Sequence, residues 1–128
     1  MQTKHALVID DNENNLEVLD ELLGMVGISC TLVQDVSQLD AALATLTQLD
    51  IVFLDLEMPH VNGYEMLAML HQEIGLDVPV VACTVHLNEI QTAREHGFHS
   101  FLGKPLNPKR FADQIRRIID GEPVWEAR

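Results

Sequence analysis

Basic residues are scarce in this chain of 128 residues: eight Lys and Arg stand against twenty Asp and Glu, giving a net charge of −12. This balance argues against direct nucleic-acid binding by the chain alone, because a phosphate backbone attracts cations. Most of the bases are confined to the last quarter of the chain, namely Lys104, Lys109, Arg110, Arg116, Arg117 and Arg128. The acidic remainder suits a divalent cation or a basic patch on a partner protein.

Cysteine, aromatic residues and long apolar runs are also in short supply. The two cysteines, Cys30 and Cys83, lie within apolar runs and are typical of reduced core thiols in a cytosolic protein rather than of a disulfide framework. No apolar run is long enough to span a bilayer, and the N-terminus lacks a leader pattern. Since 47% of the residues are hydrophobic and mostly aliphatic, a core is still possible. We therefore expect one cytoplasmic domain without membrane association.

Two kinds of apolar pattern alternate along the chain. Continuous apolar runs of strand length, typical of a parallel sheet covered on both faces, occupy His5–Ile9, Ile28–Val33, Ile51–Leu54, Val78–Cys83 and Ser100–Leu102. The segments between them have helical periodicity, with Gly27 and Gly97 at predicted helix ends and Ser37 and Pro108 at predicted helix starts. This alternation predicts an α/β fold in which five helices sandwich a doubly wound, five-stranded parallel sheet. We assign residues 1–120 to this domain and 121–128 to a frayed tail.

Charged and polar side chains follow the predicted strands at their carboxyl ends, where such sheets bind ligands. Asp10 and Asp11 follow the first strand, Asp55 the third, Thr84 the fourth and Lys104 the fifth. Carboxylates gathered in one crevice repel one another, so that they either shift in pKa or require a cation. Because the predicted ligands are all oxygen atoms, a hard ion such as Mg²⁺ is favoured, and the Lys104 ammonium adds a second positive charge.

Asp55 is the predicted reactive group of this crevice. The loop after the first strand reads "DDNENN" and lacks the glycines with which nucleotide-binding folds hold a phosphate. A carboxylate can, however, accept a phosphoryl group transiently and form an acyl phosphate. Mg²⁺ and Lys104 would neutralise the phosphoryl oxygens, and the hydroxyl of Thr84 could donate a hydrogen bond to one of them.

Four short motifs, each at the end of a predicted strand, resemble those of a known family. They are "VIDDN" at 8–12, "FLDLEMP" at 53–59 with Gly63, Thr84 closing "PVVACT", and "GKP" at 103–105. Over nearly its whole length the chain resembles the receiver domain of bacterial two-component response regulators, in its single-domain, CheY-like form. The resemblance implies a flavodoxin-like fold and a phosphorelay function.

The resemblance also implies roles for the acidic residues. Asp55 is expected to be the phosphoacceptor and Asp11 a direct Mg²⁺ ligand. Asp10 is expected to act through metal-bound water, and the backbone carbonyl of Glu57 is expected to be the third protein ligand. Glu57 and His86 occupy positions at which the family tunes loss of the phosphoryl group, so we hypothesise that this pair controls an attacking water.

Further roles concern the last two strands. Lys104 is expected to contact the phosphoryl group, with Pro105 as a cis-proline that aims it. Thr84 and Phe101 resemble the family's switch pair, whose movement repacks the surface of helix four, strand five and helix five. Val85 departs from the usual pattern, which has a small residue after the threonine, and this bulk could restrict either movement.

The resulting hypothesis is a signalling switch that slowly dephosphorylates itself and is otherwise not an enzyme. It would take a phosphoryl group from a histidine kinase or phosphotransfer protein and signal by binding a downstream protein. Two alternatives stay open. Asp55-Leu56-Glu57 faintly resembles the motif of haloacid-dehalogenase-type phosphatases, and a degenerate receiver could bind partners without phosphate. The chain could also be a fragment of a longer regulator.

Overall fold

The computed structural model describes residues 3–126, in which six strands alternate with five helices. The strands are β1 (His5–Ile9), β2 (Ser29–Val33), β3 (Ile51–Asp55), β4 (Val80–Thr84), β5 (Ser100–Gly103) and β6 (Trp125–Glu126). The helices are α1 (Glu13–Met25), α2 (Leu39–Thr45), α3 (Gly63–Ile74), α4 (Ile90–Glu95) and α5 (Pro108–Ile119). Short 3₁₀ turns at Val36–Gln38 and Leu87–Glu89 precede α2 and α4. None of these helices is both apolar enough and long enough to traverse a bilayer.

All strand pairs are parallel, and the strand order is β2-β1-β3-β4-β5-β6. Successive side chains along each buried strand point to opposite faces of the sheet and enter two separate cores. On one face Val8 and Phe53 pack with apolar residues of α1 and α5. On the other face Leu7 and Leu54 pack with apolar residues of α2, α3 and α4. The predicted doubly wound sandwich is therefore confirmed.

Local signals at the helix ends are mostly as predicted. The chain leaves α1 and α4 through Gly27 and Gly97, which have φ values of 80° and 98° that glycine adopts without a steric cost. Helix α5 begins at Pro108. Ser37, however, is not the cap of the second helical segment. Asp35 takes that place, since its Oδ1 accepts a hydrogen bond from the Ser37 N–H at 2.9 Å.

The end of the described chain differs from the frayed tail predicted for 121–128. Val124 is buried with 1% of its surface exposed, and Trp125–Glu126 adds a sixth strand beside β5. A two-residue strand is too short to show a periodic apolar pattern, and for this reason the sequence did not reveal it. Cys83 is a buried free thiol as predicted, whereas Cys30 is only half-buried at the edge of the core.

Candidate functional site

The residues predicted to act together lie where the strand order reverses, at the carboxyl ends of β1 and β3. The two strands are neighbours, with Ile9 opposite Leu54, so Asp10 and Asp55 project from adjacent strand ends. A parallel doubly wound sheet opens a crevice at such a switch point, because the connections from the two strands leave toward opposite faces. The topology itself therefore brings these acids together.

Lys104 lies between the two acids. Its Nζ is 3.1 Å from Asp10 Oδ2 and 3.1 Å from Asp55 Oδ1. The backbone fixes its position, since the Lys104 N–H donates to the carbonyl of Thr84 at 2.9 Å. Burial alone would lower the pKa of Lys104, but the carboxylates of Asp55 and Asp10 outweigh this effect and raise it. The ammonium is therefore charged at neutral pH and binds the two acids.

Asp55 is 4% exposed, and its environment shifts its pKa. Burial, opposed by Lys104 and assisted by the negative charge of Asp10, raises the pKa of Asp55 to about 6. Its Oδ1 accepts hydrogen bonds from Lys104 and from the Glu57 N–H at 3.1 Å. Within residues 3–126 no hydrogen bond engages the other oxygen, Oδ2. One oxygen is thus held in place while the other stays available to a ligand.

A third acid completes a set that fits a hard metal ion. Asp10, Asp11 and Asp55 each place one carboxylate oxygen within 4.8 Å of the others. Asp11 is exposed, whereas Asp10 is 2% exposed and is oriented by the Asn12 N–H, which donates to Oδ1 at 2.9 Å. Three carboxylates face a single ammonium, so the cluster retains negative charge and supplies only oxygen ligands, which suits Mg²⁺.

The side chain of Glu57 turns away from the three acids. Its Oε1 accepts hydrogen bonds from the Thr84 hydroxyl and from the Val85 N–H, both at 2.5 Å. Although desolvation works against it, these two bonds hold the pKa of Glu57 below its usual range. The Thr84 hydroxyl, which we predicted would donate to a phosphoryl oxygen, thus donates to the Glu57 carboxylate.

The remaining predicted residues lie around this cluster. The Lys104–Pro105 peptide bond is cis. Phe101 is fully buried in the core beside α4, so its ring already points inward. His86 is exposed, and its backbone N–H donates to the Thr84 hydroxyl at 3.0 Å.

Sequence reasoning missed two groups of the site. The first is the Val85 N–H, which binds Glu57; a backbone donor leaves no signature in a sequence. The second is Glu89, whose carboxylate accepts from the Tyr64 hydroxyl at 3.3 Å and lies 3.5 Å from the Thr84 hydroxyl. Glu89 follows Thr84 by five residues, but only the turn at Leu87–Glu89 brings it back toward β4.

Comparison with known proteins identifies the family. A family model described as the response regulator receiver domain matches residues 6–116. The chain belongs to this family. The matched range contains Asp10, Asp11, Asp55 and Lys104.

Relatives and solved structures agree with this assignment. An uncharacterized response regulatory protein of Vibrio parahaemolyticus is 36% identical over 117 residues, which are 88% of this chain and 46% of that protein. The sensor histidine kinase RcsC of Escherichia coli is 34% identical over 103 residues, 78% of this chain and 10% of the kinase. A receiver protein from Burkholderia phymatum has the same fold, with a TM-score of 0.79, 27% identity and coverage of 91% and 95% of the two chains. The chain thus spans about half or less of the curated relatives' length.

The burial of Asp55 predicts an unusual effect of Asp55→Asn on stability. The unfolded carboxylate ionises near 3.8 and the folded one near 6, so raising the pH through this window destabilises the wild type. Without divalent ions, the variant should be more stable at pH 7 by up to about 3 kcal/mol, and the gain should vanish near pH 4. Urea unfolding at several pH values measures this difference.

The matched control is Asp77→Asn, because Asp77 is exposed and lies away from the cluster. That substitution should change stability by less than about 0.5 kcal/mol throughout. A wild type more stable than Asp55→Asn at pH 7 would show that burial does not set the protonation of Asp55.

Proposed function

We propose that Asp55 is the phosphoacceptor of this receiver domain, taking the phosphoryl group from a phosphohistidine of a kinase or phosphotransfer protein. The observation that supports this role is the position of Asp55: one oxygen is held by Lys104 and the Glu57 N–H, and no residue in the described range 3–126 hydrogen-bonds the other. In the reaction an Asp55 oxygen forms a bond to phosphorus while the nitrogen–phosphorus bond of the donor breaks. The carboxylate form reacts, and a pKa of about 6 leaves that form predominant at pH 7.

Asp10, Asp11 and Asp55 would hold Mg²⁺, with the backbone carbonyl of Glu57 as a further ligand. Their oxygens are close enough together to share one ion. When bound, Mg²⁺ neutralises charge on the phosphoryl oxygens. Lys104 serves the same purpose from the opposite side, and its two ion pairs aim its ammonium into the crevice before any phosphoryl group arrives.

Thr84 and Phe101 are the proposed route from the crevice to the signalling surface. The Thr84 hydroxyl is bound to Glu57 and would have to exchange this partner for a phosphoryl oxygen. Thr84 lies on β4 opposite Gly103 of β5, the strand that carries Phe101. A shift of Thr84 would therefore displace β5 and the helices α4 and α5 beside it. These three elements form the proposed face for a downstream protein.

We propose that phosphotransfer to and from Asp55 is the only reaction this unit catalyses, and that residues 1–120 are sufficient for it. The match to the receiver-domain family favours this proposal over the haloacid-dehalogenase alternative. The intact set of three acids and Lys104 argues against a degenerate receiver that has lost its phosphate chemistry. Relatives include a C4-dicarboxylate transport transcriptional regulator of Pseudomonas aeruginosa, of which this chain covers 25%. Which cellular process the protein regulates is determined by its partner proteins rather than by the residues of the site.

Incubation with Mg²⁺ and acetyl phosphate tests the proposed function. Intact-mass spectrometry should show one added phosphoryl group on the wild type and none on Asp55→Asn. Lys104→Met should slow the reaction by at least about tenfold, because it removes a cation next to the transferred group. A phosphoryl group on Asp55→Asn at the wild-type rate would place the acceptor elsewhere.

Glu57 and His86 are predicted to set the lifetime of the phosphorylated state. Glu57→Gln keeps the size of the side chain but removes the charge that could activate a water, so it should lengthen the lifetime by about tenfold or more. His86→Ala should shift the lifetime in the same assay, because it removes an electrostatic influence of the His86 side chain on the Glu57 carboxylate. Loss of the added mass after removal of acetyl phosphate measures the rates. Equal lifetimes in all three proteins would discard this hypothesis.

A further inference from the structure

The strand β6 lies on the surface that we propose for signalling, and it follows the part of the chain that the family model matches, residues 6–116. It extends the sheet beyond β5, with Trp125 opposite Phe101 in parallel register. The Phe101 N–H donates to the carbonyl of Val124 at 2.8 Å, and the Val124 N–H donates to the hydroxyl of the buried Ser100 at 3.0 Å. The backbone edge of β5 is therefore occupied by the chain itself.

Side chains of this segment alternate between the two faces of the sheet, as in a longer strand. Val124 is buried in the core shared by α1 and α5. Trp125 packs on the opposite face, on the core that contains Phe101, and the Arg94 guanidinium of α4 lies 5.2 Å from the centre of its ring. Such a stacked cation adds attraction to apolar burial. The segment thus contacts α4, β5 and α5 at once.

Glu126 supplies the charged contact of the segment. Its two oxygens accept hydrogen bonds from Gln114 at 2.8 Å and from Arg117 at 3.1 Å, and Arg110 lies 2.5 Å from Oε1. The hydrogen bond from Gln114, followed by the effect of Arg117, holds the pKa of Glu126 below its usual range. Bases of α5 that could recruit an acidic partner are therefore already bound to an acid of the same chain.

We propose that the β5 edge, flanked by Arg94, Arg110 and Arg117, is a strand-accepting site for an extended segment of a partner protein that carries an aromatic residue followed by a carboxylate. In the resting domain Val124–Glu126 occupies this site and masks it. This inference rests on the proposed function, because phosphorylation is what loosens the resident strand.

Two features make exchange of strands feasible. The pairing of β6 covers only two residues, so local opening requires few broken bonds compared with the buried strands. The resident strand is tethered, which gives it a high effective concentration and excludes a weak competitor in the resting state. Because the Phe101 N–H bonds directly to the segment, any movement of Phe101 changes the stability of this pairing, and displacement of the segment acts back on Phe101.

Hydrogen exchange of the Phe101 amide reports opening of the strand, since this N–H is bonded to Val124. Glu126→Lys reverses the charge among the bases of α5 and should accelerate the exchange at least tenfold in the unphosphorylated protein. Glu122→Lys is the matched control, because Glu122 also pairs with Arg117 but lies outside β6. It should leave the Phe101 amide unchanged. Equal exchange in all three proteins would overturn the proposal.

A fluorescent peptide with the sequence of residues 122–128, EPVWEAR, probes the vacated edge by anisotropy. The peptide should bind Glu126→Lys at least tenfold more tightly than the resting wild type, and a peptide with lysine at the position of Glu126 should not bind. Trp125→Ala provides a second weakened strand and should behave like Glu126→Lys. Failure of both variants to bind the peptide would show that the edge does not accept a strand.

Beryllofluoride with Mg²⁺, a phosphoryl mimic, separates this inference from the proposed function. When it occupies the wild-type site, exchange at the Phe101 amide and binding of the peptide should both increase, and Asp55→Asn should show neither change. If the mimic binds and both readouts stay at resting values, the inference fails while the proposed function stands. If the mimic does not bind, the proposed function fails, and the comparison of Glu126→Lys with Glu122→Lys still tests the resident strand.

Discussion

The ion pairs of Lys104 with Asp10 and Asp55 are the interaction on which the rest of the site depends. They join the ends of β1, β3 and β5, three strands that are far apart in sequence, at distances of 3.1 Å. A buried carboxylate without a partner would be costly, and two adjacent ones more so. The single Lys104 ammonium can balance only one of these two carboxylates, and Asp11 adds a third. This residual charge favours a divalent cation.

Architecture and chemistry are linked through the position of this cluster. The central strands are apolar and buried, so the charged residues of the cluster lie at the strand ends. Local turns then orient the side chains: the Asn12 N–H holds Asp10, and the Glu57 N–H holds one oxygen of Asp55. In the proposed switch the same sheet would carry a displacement outward, since Thr84 at the end of β4 adjoins β5. The crevice and the β5 edge thus belong to one sheet.

Much of this arrangement was predictable from the sequence, because it depends on patterns longer than a few residues. Continuous apolar runs revealed five strands, and the residue that follows each run revealed the acids, Thr84 and Lys104. Contacts that depend on the direction of one side chain were not predictable. Glu57 was expected to offer its carbonyl to a metal and to help control an attacking water, and the sequence has no signal for the turn of its carboxylate toward Thr84. Asp35 rather than Ser37 is a cap for a similar reason, since either residue type suits the position.

The strand β6 marks a different limit. Its two residues have no period, and its register depends on Glu126 meeting bases of α5 and Trp125 meeting Arg94. These contacts join segments that come together in space only when the sheet has formed. Two bases of α5, Arg110 and Arg117, are paired within the chain with Glu126.

Calorimetric titration of the domain with Mg²⁺ between pH 5 and pH 8 tests the central claim most directly. Protons and Mg²⁺ compete for Asp55, whose pKa is about 6, so the affinity should be nearly constant above pH 7 and weaken by up to about tenfold per pH unit below 6. Asp55→Asn should bind more weakly and lose that part of the pH dependence. Absence of binding at pH 7, or an affinity in the wild type that does not change between pH 5 and pH 8, would contradict the account.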